Sequence, residues 1–282
     1  MNSTNAFSSP YGATSALGRS IRLRRLFGAD GKAVVVALDQ AVPRGVMPRL
    51  ATIAQTYGQV AAGNPDGVTV TKGVAAHVLS GPNPTLPWIL KASTFSVDFH
   101  PTYDAMIGSV DDAVRLGADA VAVGISAGSA VQAEMLAMLA RVVERASEVG
   151  MPTVCHAYPS GELWGDRKGS EESVLYAARA ASELGVDIIK TWYTGSTESF
   201  RNVTEGTPGL VMVAGGAKLD SDLAVLQLAE SVVQAGAAGL TIGRNLWGAD
   251  DPAAMVRALK AIVHDGLNAS DAAALHLEGT KV

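Results

Sequence analysis

The chain alternates between short apolar runs and longer amphipathic stretches. Runs rich in valine, isoleucine and alanine occur at AVVVALD (33–39), DGVTVTKG (66–73), PWILKAS (87–93), ADAVAVGI (118–125), PTVCHAYPSG (152–161), DIIKTWYTG (187–195), GLVMVAGG (209–216) and AGLTIGRN (238–245). Runs that stay apolar, rather than alternating with polar residues, are expected of parallel strands covered on both faces. Between them the period lengthens, which predicts helices over 111–117, 130–150, 171–185, 221–236 and 251–264. Gly117, Gly150, Gly185 and Gly236 each close such a segment, where glycine adopts the left-handed conformation after a last helical turn.

Eight strand–helix units leave two architectures, a closed barrel or an open doubly wound sheet. An open dinucleotide-binding sheet would carry GxGxxG after its first strand. The turn here reads LDQAVPRG, so the predicted fold is α/β, a single-domain (β/α)8 TIM barrel spanning 19–266. A flexible arm rich in Ser, Asn, Gly and Ala is expected at 1–18, and an Ala-rich, helix-capable tail at 267–282. The amphipathic RSIRLRRLF (19–27) reads as a short helix closing the barrel bottom.

Composition narrows the function. With 282 residues and 48% hydrophobic side chains the chain can fill a large core, and a barrel of this kind commonly takes 200–250 residues. A net charge of −5 without a basic block argues against nucleic acid or an anionic membrane as partner. Cys155 is the single cysteine, which excludes an internal disulfide and a thiolate metal site. The five histidines show neither HExxH nor HxH spacing, so no metal is expected. The N-terminus is polar and no 18-residue apolar run follows, which points to the cytoplasm.

In β/α barrels the chemistry sits at the C-terminal ends of the strands. The candidates there are Asp39 and Gln40 on the first strand, Lys72 on the second, and Lys91 and Ser93 on the third. His156 and Tyr158 follow on the fifth, Lys190 and Tyr193 on the sixth, Gly215-Gly216-Ala217-Lys218 on the seventh and Gly243-Arg244-Asn245 on the eighth. Lys190 breaks the apolar run Asp187-Ile188-Ile189. Burial there lowers an amine's pKa toward the neutral form that attacks a carbonyl. The competing reading is a lysine paired with a strand carboxylate such as Asp39 or pointing outward, and Lys72 and Lys91 compete for the same role.

Asp39 suits proton transfer at a substrate hydroxyl or, equally, a helix cap. Tyr158 suits a proton shuttle or a core aromatic with a satisfied hydroxyl, and His156 shares its strand face by the period of two. Cys155, one residue off that face, reads as packing. Glycines at two adjacent strand ends, Gly215, Gly216 and Gly243, with Arg244 beside them, read as a phosphate cradle. Glycines also serve tight turns, so neither end is diagnostic alone.

Taken together, DIIKTWYTGSTESF (187–200), VAGGAK (213–218) and IGRNLWGADDP (242–252) resemble the archaeal-type class I fructose-bisphosphate aldolases, the DhnA-type or DeoC/LacD-like family. That family includes aminodideoxyheptulosonate synthases and a phospho-autoinducer-2 thiolase. The resemblance runs from about Arg19 to Asp265. It implies a metal- and cofactor-independent lyase acting on a phosphorylated keto-sugar, assembled as a homo-oligomeric ring such as a decamer. Lys190 would form the Schiff base, Tyr158 of Tyr158-Pro159-Ser160-Gly161 would be the acid/base, and Asp39 would assist at the substrate hydroxyl. Gly215, Gly216, Gly243 and Arg244 would hold phosphate, with Lys72 and His156 as further substrate contacts. Two departures stand out. Family members read Asp-His-Gly where this chain has Asp39-Gln40-Ala41, and Gly124-Ile125-Ser126 lacks a polar His/Asn pattern. The alternatives are acyl transfer to coenzyme A by the same lysine, and a non-catalytic sugar-phosphate-binding barrel.

Overall fold

The computed structural model describes residues 13–81, 86–95 and 104–278. Eight parallel strands form a closed barrel: β1 (Ala33–Ala37), β2 (Gly67–Val70), β3 (Trp88–Lys91), β4 (Ala120–Ser126), β5 (Thr153–Tyr158), β6 (Ile188–Thr191), β7 (Leu210–Ala214) and β8 (Gly239–Ile242). Each pairs with its neighbours in sequence, and β8 closes on β1 through Ala33–Gly239 to Val36–Ile242. All eight expected strands are present. The main outer helices after β3 to β8 are Val110–Leu116, Gln132–Glu148, Glu171–Glu183, Thr197–Glu205, Asp222–Gln234 and Pro252–Val263. Five of them fall where the periodicity places them. Gly117, Gly150, Gly185 and Gly236 all take positive φ, so each reverses the chain where a side chain would cost energy.

The N-terminal helix α1 (Ala13–Leu26) begins six residues before the amphipathic run that predicts it. Leu23, Leu26 and Phe27 are buried against the inward-facing Val35, Ile89, Ala120, Val154, Ile188 and Met212, so this helix plugs the barrel bottom. Val34, Val36, Leu90 and Cys155, of the opposite parity, pack outward against the helices. Cys155 is thus packing, as its parity predicts. Beyond Gly266, the turn Ala269–Ala273 lies against Asp222–Gln234 and Pro252–Val263.

A repeated electrostatic device holds the bottom rim. One residue before β2, β4 and β6 stands an aspartate whose carboxylate accepts a backbone N–H from the first or second residue of the preceding strand. Asp66 accepts from Val34 (2.7 Å), Asp119 from Trp88 (3.0 Å) and Asp187 from Thr153 (2.8 Å). Each carboxylate also meets a cation: Arg19 reaches Asp187, Arg25 reaches Asp119 and Lys260 reaches Asp66. Two of the three cations come from α1, which is how the plug is locked in place.

At Asp66 the device also contains a titratable cation. His264 places Nε2 2.8 Å from Asp66 and Nδ1 3.0 Å from Asp30. The hydrogen bond to Asp66 leads the effects that raise the pKa of His264, against the pull of burial. Burial alone would raise Asp66, but hydrogen bonds from His264, Lys260 and Val34 bring it below the ordinary carboxylate value. The stabilisation from His264 is therefore complete below its unfolded value of about 6.5 and is lost as pH rises through its raised folded value. That from Asp66 is present above about 3.9 and is lost as pH falls through its depressed folded value. His264→Gln is expected to cost about 1.5–3 kcal/mol near pH 6, the worth of a hydrogen bond to a charged partner, and clearly less near pH 9. Urea melts at the two pH values measure this, and equal losses at both would contradict it.

Candidate active site

Inward-facing positions above the bottom layer define the site. By the period of two, Ile89 is followed on the inner wall by Lys91 and Ser93, Val154 by His156 and Tyr158, and Ile188 by Lys190 and Trp192. Lys190 and His156 are register partners across β5 and β6. The chamber at the C-terminal mouth measures about 710 Å³. Its lining includes Asp39, Gln40, Arg44, Lys91, His156, Tyr158, Lys190, Trp192, Gly215, Gly216, Gly243 and Arg244. Of the nine residues expected to act at the site, eight are therefore together.

Lys190 is 5% exposed, and burial brings its pKa down to about 8, with the charge of Lys91 acting in the same direction and Asp39 opposing. At pH 7 that leaves about a tenth of the amine neutral, against well under a thousandth for an ordinary lysine. His156 is held neutral by the same burial, with Lys190 and Lys91 adding to it. Tyr158 stacks on Trp192 (centroids 5.7 Å, planes 22° apart) and meets the edge of Phe95 at 6.2 Å. Burial, then the charge of Asp39, pushes its phenol well above the usual tyrosine value, so it is a hydroxyl at any pH where the protein works.

Lys72 does not belong to this group. It has the parity of Val68 and Val70, which face the helices, and it opens the helix Lys72–Val78 rather than ending a strand. Its side chain is half exposed and its ammonium lies 3.7 Å from Asp112. Tyr193, likewise one residue out of phase, packs on Phe200 at 5.4 Å although it reaches the chamber rim.

Three participants were not legible beforehand. Asp104, from the crossover between β3 and β4, is buried beside Lys91: its Oδ1 is 3.3 Å from Nζ and accepts from Ser93 Oγ at 2.7 Å. Ser93 Oγ in turn accepts from Lys91 at 2.9 Å and from the backbone N–H of Gly124 at 2.8 Å. A Cβ on Gly124 would come within 2.3 Å of the Asp104 carboxylate. The polar group missing from the end of β4 is thus supplied by a neighbouring loop, into space that glycine leaves. Removing one member of such a buried pair strands the other charge, typically at about 3–5 kcal/mol. Trp192 follows from Lys190 by parity, yet no feature of its own marks it. Arg44 lies in a loop, where no periodicity identifies inward residues.

The glycine-rich end is built around Asn245. Its amide donates to the carbonyls of Gly215 (2.7 Å) and Ala217 (2.8 Å), and its oxygen accepts from Leu219 N–H (2.9 Å). Arg244 donates to the Gly216 carbonyl at 2.9 Å. The glycines have packing duties as well: a Cβ at 243 would meet the Gln40 amide at 2.1 Å, and one at 215 would meet Ile242 at 2.7 Å. The β7 and β8 loops therefore form one rigid wall carrying a guanidinium. Among the described residues, no group of three or more His, Cys, Asp or Glu side chains is placed to hold a metal ion, and no helix is long and apolar enough to cross a membrane.

A closed β/α barrel with a partly neutral amine deep in its mouth, flanked by a phenol and a carboxylate, has the layout of an enzyme that works on carbonyl compounds. Residues 33–249 match the family described as "DeoC/LacD family aldolase", and the chain belongs to that family. It is 34% identical over 250 residues to 2-amino-3,7-dideoxy-D-threo-hept-6-ulosonate synthase of Halobacterium salinarum, covering 88% of this chain and 92% of that one. It is 31% identical over 250 residues to 2-amino-4,5-dihydroxy-6-oxo-7-(phosphonooxy)heptanoate synthase of Streptomyces griseus, covering 88% and 90%. Among solved structures, an archaeal fructose-1,6-bisphosphate aldolase with its catalytic lysine bound to the carbinolamine of the substrate superposes with a TM-score of 0.78 at 30% identity. That match covers 87% of this chain and 99% of the other. The family, the TIM-barrel fold and the kinship with class I aldolases are thereby established.

Proposed function

We infer that the protein is a Schiff-base aldolase that makes or breaks a carbon–carbon bond next to a phosphorylated ketone. The observation that carries this is Lys190: an inward amine near the C-terminal end of β6, its pKa brought to about 8, within one chamber with Tyr158 and Asp39. The free amine attacks the ketone to give a carbinolamine, and loss of water gives the protonated imine. In the cleavage direction Asp39 takes the proton of the hydroxyl on the carbon β to the imine, the far end of the bond that breaks. That bond breaks, an aldehyde leaves, and the electron pair passes through the imine to nitrogen as an enamine. Tyr158 then returns a proton to carbon, and hydrolysis frees Lys190. Tyr158 enters this step as the neutral phenol, with a proton to give.

The substrate class rests on the wall of Gly215, Gly216, Gly243 and Arg244 at one end of the chamber. The name of one relative agrees with it: the Streptomyces griseus product has a ketone at carbon 6 beside a phosphonooxy group at carbon 7, whereas the Halobacterium salinarum product is named as a 7-deoxy compound without phosphate. With phosphate on the β7–β8 wall, the adjacent ketone carbon faces β6 and its lysine. His156, neutral and beside Lys190, is a hydrogen-bonding contact for the same substrate.

Kinetics on matched phosphorylated and dephosphorylated ketoses test this reading. Arg244→Ala is expected to raise KM for the phosphorylated compound about ten- to a hundredfold, the worth of one charge-assisted contact. It should leave the dephosphorylated one little changed. A parent enzyme that treats both compounds alike would remove phosphate from the account.

A further inference from the structure

The phenol of Tyr158 has to meet the substrate at one atom, yet no bond to the hydroxyl aims it. Among the described residues that hydroxyl has no hydrogen-bond partner. Its direction is set by how the backbone and the ring are held. The loop after β4 clamps the backbone: Ala127 N–H donates to the Tyr158 carbonyl at 2.8 Å, and Gly161 N–H donates back to the Ala127 carbonyl at 3.0 Å. The indole N–H of Trp164 reaches the same Ala127 carbonyl at 3.0 Å. Pro159, whose ring fixes its φ, follows directly. These contacts fix where the side chain of Tyr158 starts and leave the direction of its ring to packing.

The packing comes from Trp192. It is the next inward residue above Lys190 on the β6 wall, and it lines the chamber. Thr191 Oγ1 donates to the Ala157 carbonyl at 2.8 Å, so the residues that follow these two, Trp192 and Tyr158, leave neighbouring strands side by side. Their ring centroids are 5.7 Å apart with planes at 22°, an offset stack, which is a preferred geometry for aromatic pairs. Phe95 and His156 also touch the phenol, at 6.2 Å and 6.0 Å, but they stand at 72° and 56° to it. Of the three rings, Trp192 alone offers a face nearly parallel to that of Tyr158. A flat partner resists tipping of the ring over its whole area, which edge and tilted contacts do not.

We propose that Trp192 is the positioning residue for the acid/base, its indole holding the Tyr158 ring so that the hydroxyl points at the carbon next to the imine on Lys190. This rests on the aldolase reading and assigns a residue to one step of it. In that step the O–H bond of Tyr158 breaks as a C–H bond forms at the enamine carbon. The enamine's C=C pair makes the new bond, and the nitrogen lone pair restores the iminium. The water that then attacks the iminium hands a proton back to the phenolate. Such a transfer needs the reacting atoms about 3–3.5 Å apart, and a displacement of about 1 Å can cost about a hundredfold.

Run backward on dihydroxyacetone phosphate, the same steps exchange a carbon-bound hydrogen with solvent, and this exchange into deuterium oxide, followed by proton magnetic resonance, is the test. Trp192→Leu keeps apolar bulk without a flat face and should slow the exchange about ten- to a hundredfold. Trp192→Phe gives the phenol a ring to stack on again and should recover most of the rate. In a Tyr158→Phe background the same Trp192→Leu change should cost less than about twofold, since no hydroxyl is left to aim. Borohydride should still place the substrate on Lys190 in all these variants. Parental exchange in Trp192→Leu, an equal loss in both backgrounds, or a Trp192→Leu protein that no longer forms the adduct would overturn the proposal. An adduct on the parent with exchange indifferent to Trp192 removes only the role of the indole, whereas a parent without adduct removes the aldolase reading beneath it.

Discussion

Replacing Lys190 with methionine is expected to abolish turnover, leaving less than about one part in 10⁴ of parental kcat, because no imine can form without the amine. Methionine matches the length and the apolar stem of lysine, and the position is 5% exposed. The substitution removes a buried amine that costs energy to charge, so the fold should be retained or slightly stabilised. Thermal melts and far-ultraviolet dichroism would establish that the variant is folded, and an enzymatic assay on the phosphorylated ketose would read the loss. Substantial residual turnover would move the nucleophile elsewhere. Lys91 is the other amine in the lining, but its nitrogen is already engaged by Ser93 and Asp104. Lys72 lies outside the chamber, paired with Asp112.

Tyr158→Phe should lower turnover by about 100- to 10,000-fold, the usual worth of a positioned acid or base. The ring would keep its stacking on Trp192 and its contact with Phe95, so stability should change little. This variant separates two functions that Lys190→Met cannot. The amine remains, and an imine should still accumulate, though more slowly, since dehydration of the carbinolamine also needs a proton. Near-parental turnover in Tyr158→Phe would return the residue to packing. The proton shuttle would then have to be sought among the other lining groups. His156 is a poor substitute as an acid, because burial beside two lysines keeps its ring unprotonated.

The fold was legible because parallel strands buried on both faces leave continuous apolar runs, and a left-handed glycine closes the helix before several of them. Lys190, Tyr158 and Asp39 were legible for a related reason: a polar side chain that interrupts an apolar run near a strand's C-terminal end has few places to go but the chamber. The parity rule that placed His156 and Tyr158 on one face also explains the misplaced candidate. Lys72 is an even step from Val68 and Val70, which face the helices, so its side chain leaves the barrel on the outer side. Asp104 and Arg44 were not legible, since loops have no period that separates inward from outward residues. Asp104 is defined instead by the space that Gly124 leaves for it, which shows only in three dimensions. The early start of α1 has a comparable origin. ATSALG (13–18) holds one large apolar residue, Leu17, which is exposed, and the helix gains its support from Leu23 and Leu26 further along.

The chemistry as a whole stands on a covalent bond to one nitrogen. The parent protein, incubated with dihydroxyacetone phosphate and sodium borohydride and then digested, should yield a single modified peptide containing Lys190, heavier by the mass of the reduced adduct. Fragmentation should place that mass on the lysine of Asp187-Ile188-Ile189-Lys190. Modification of Lys91 or Lys72 with Lys190 untouched, or no adduct in a protein that turns substrate over, would contradict the account.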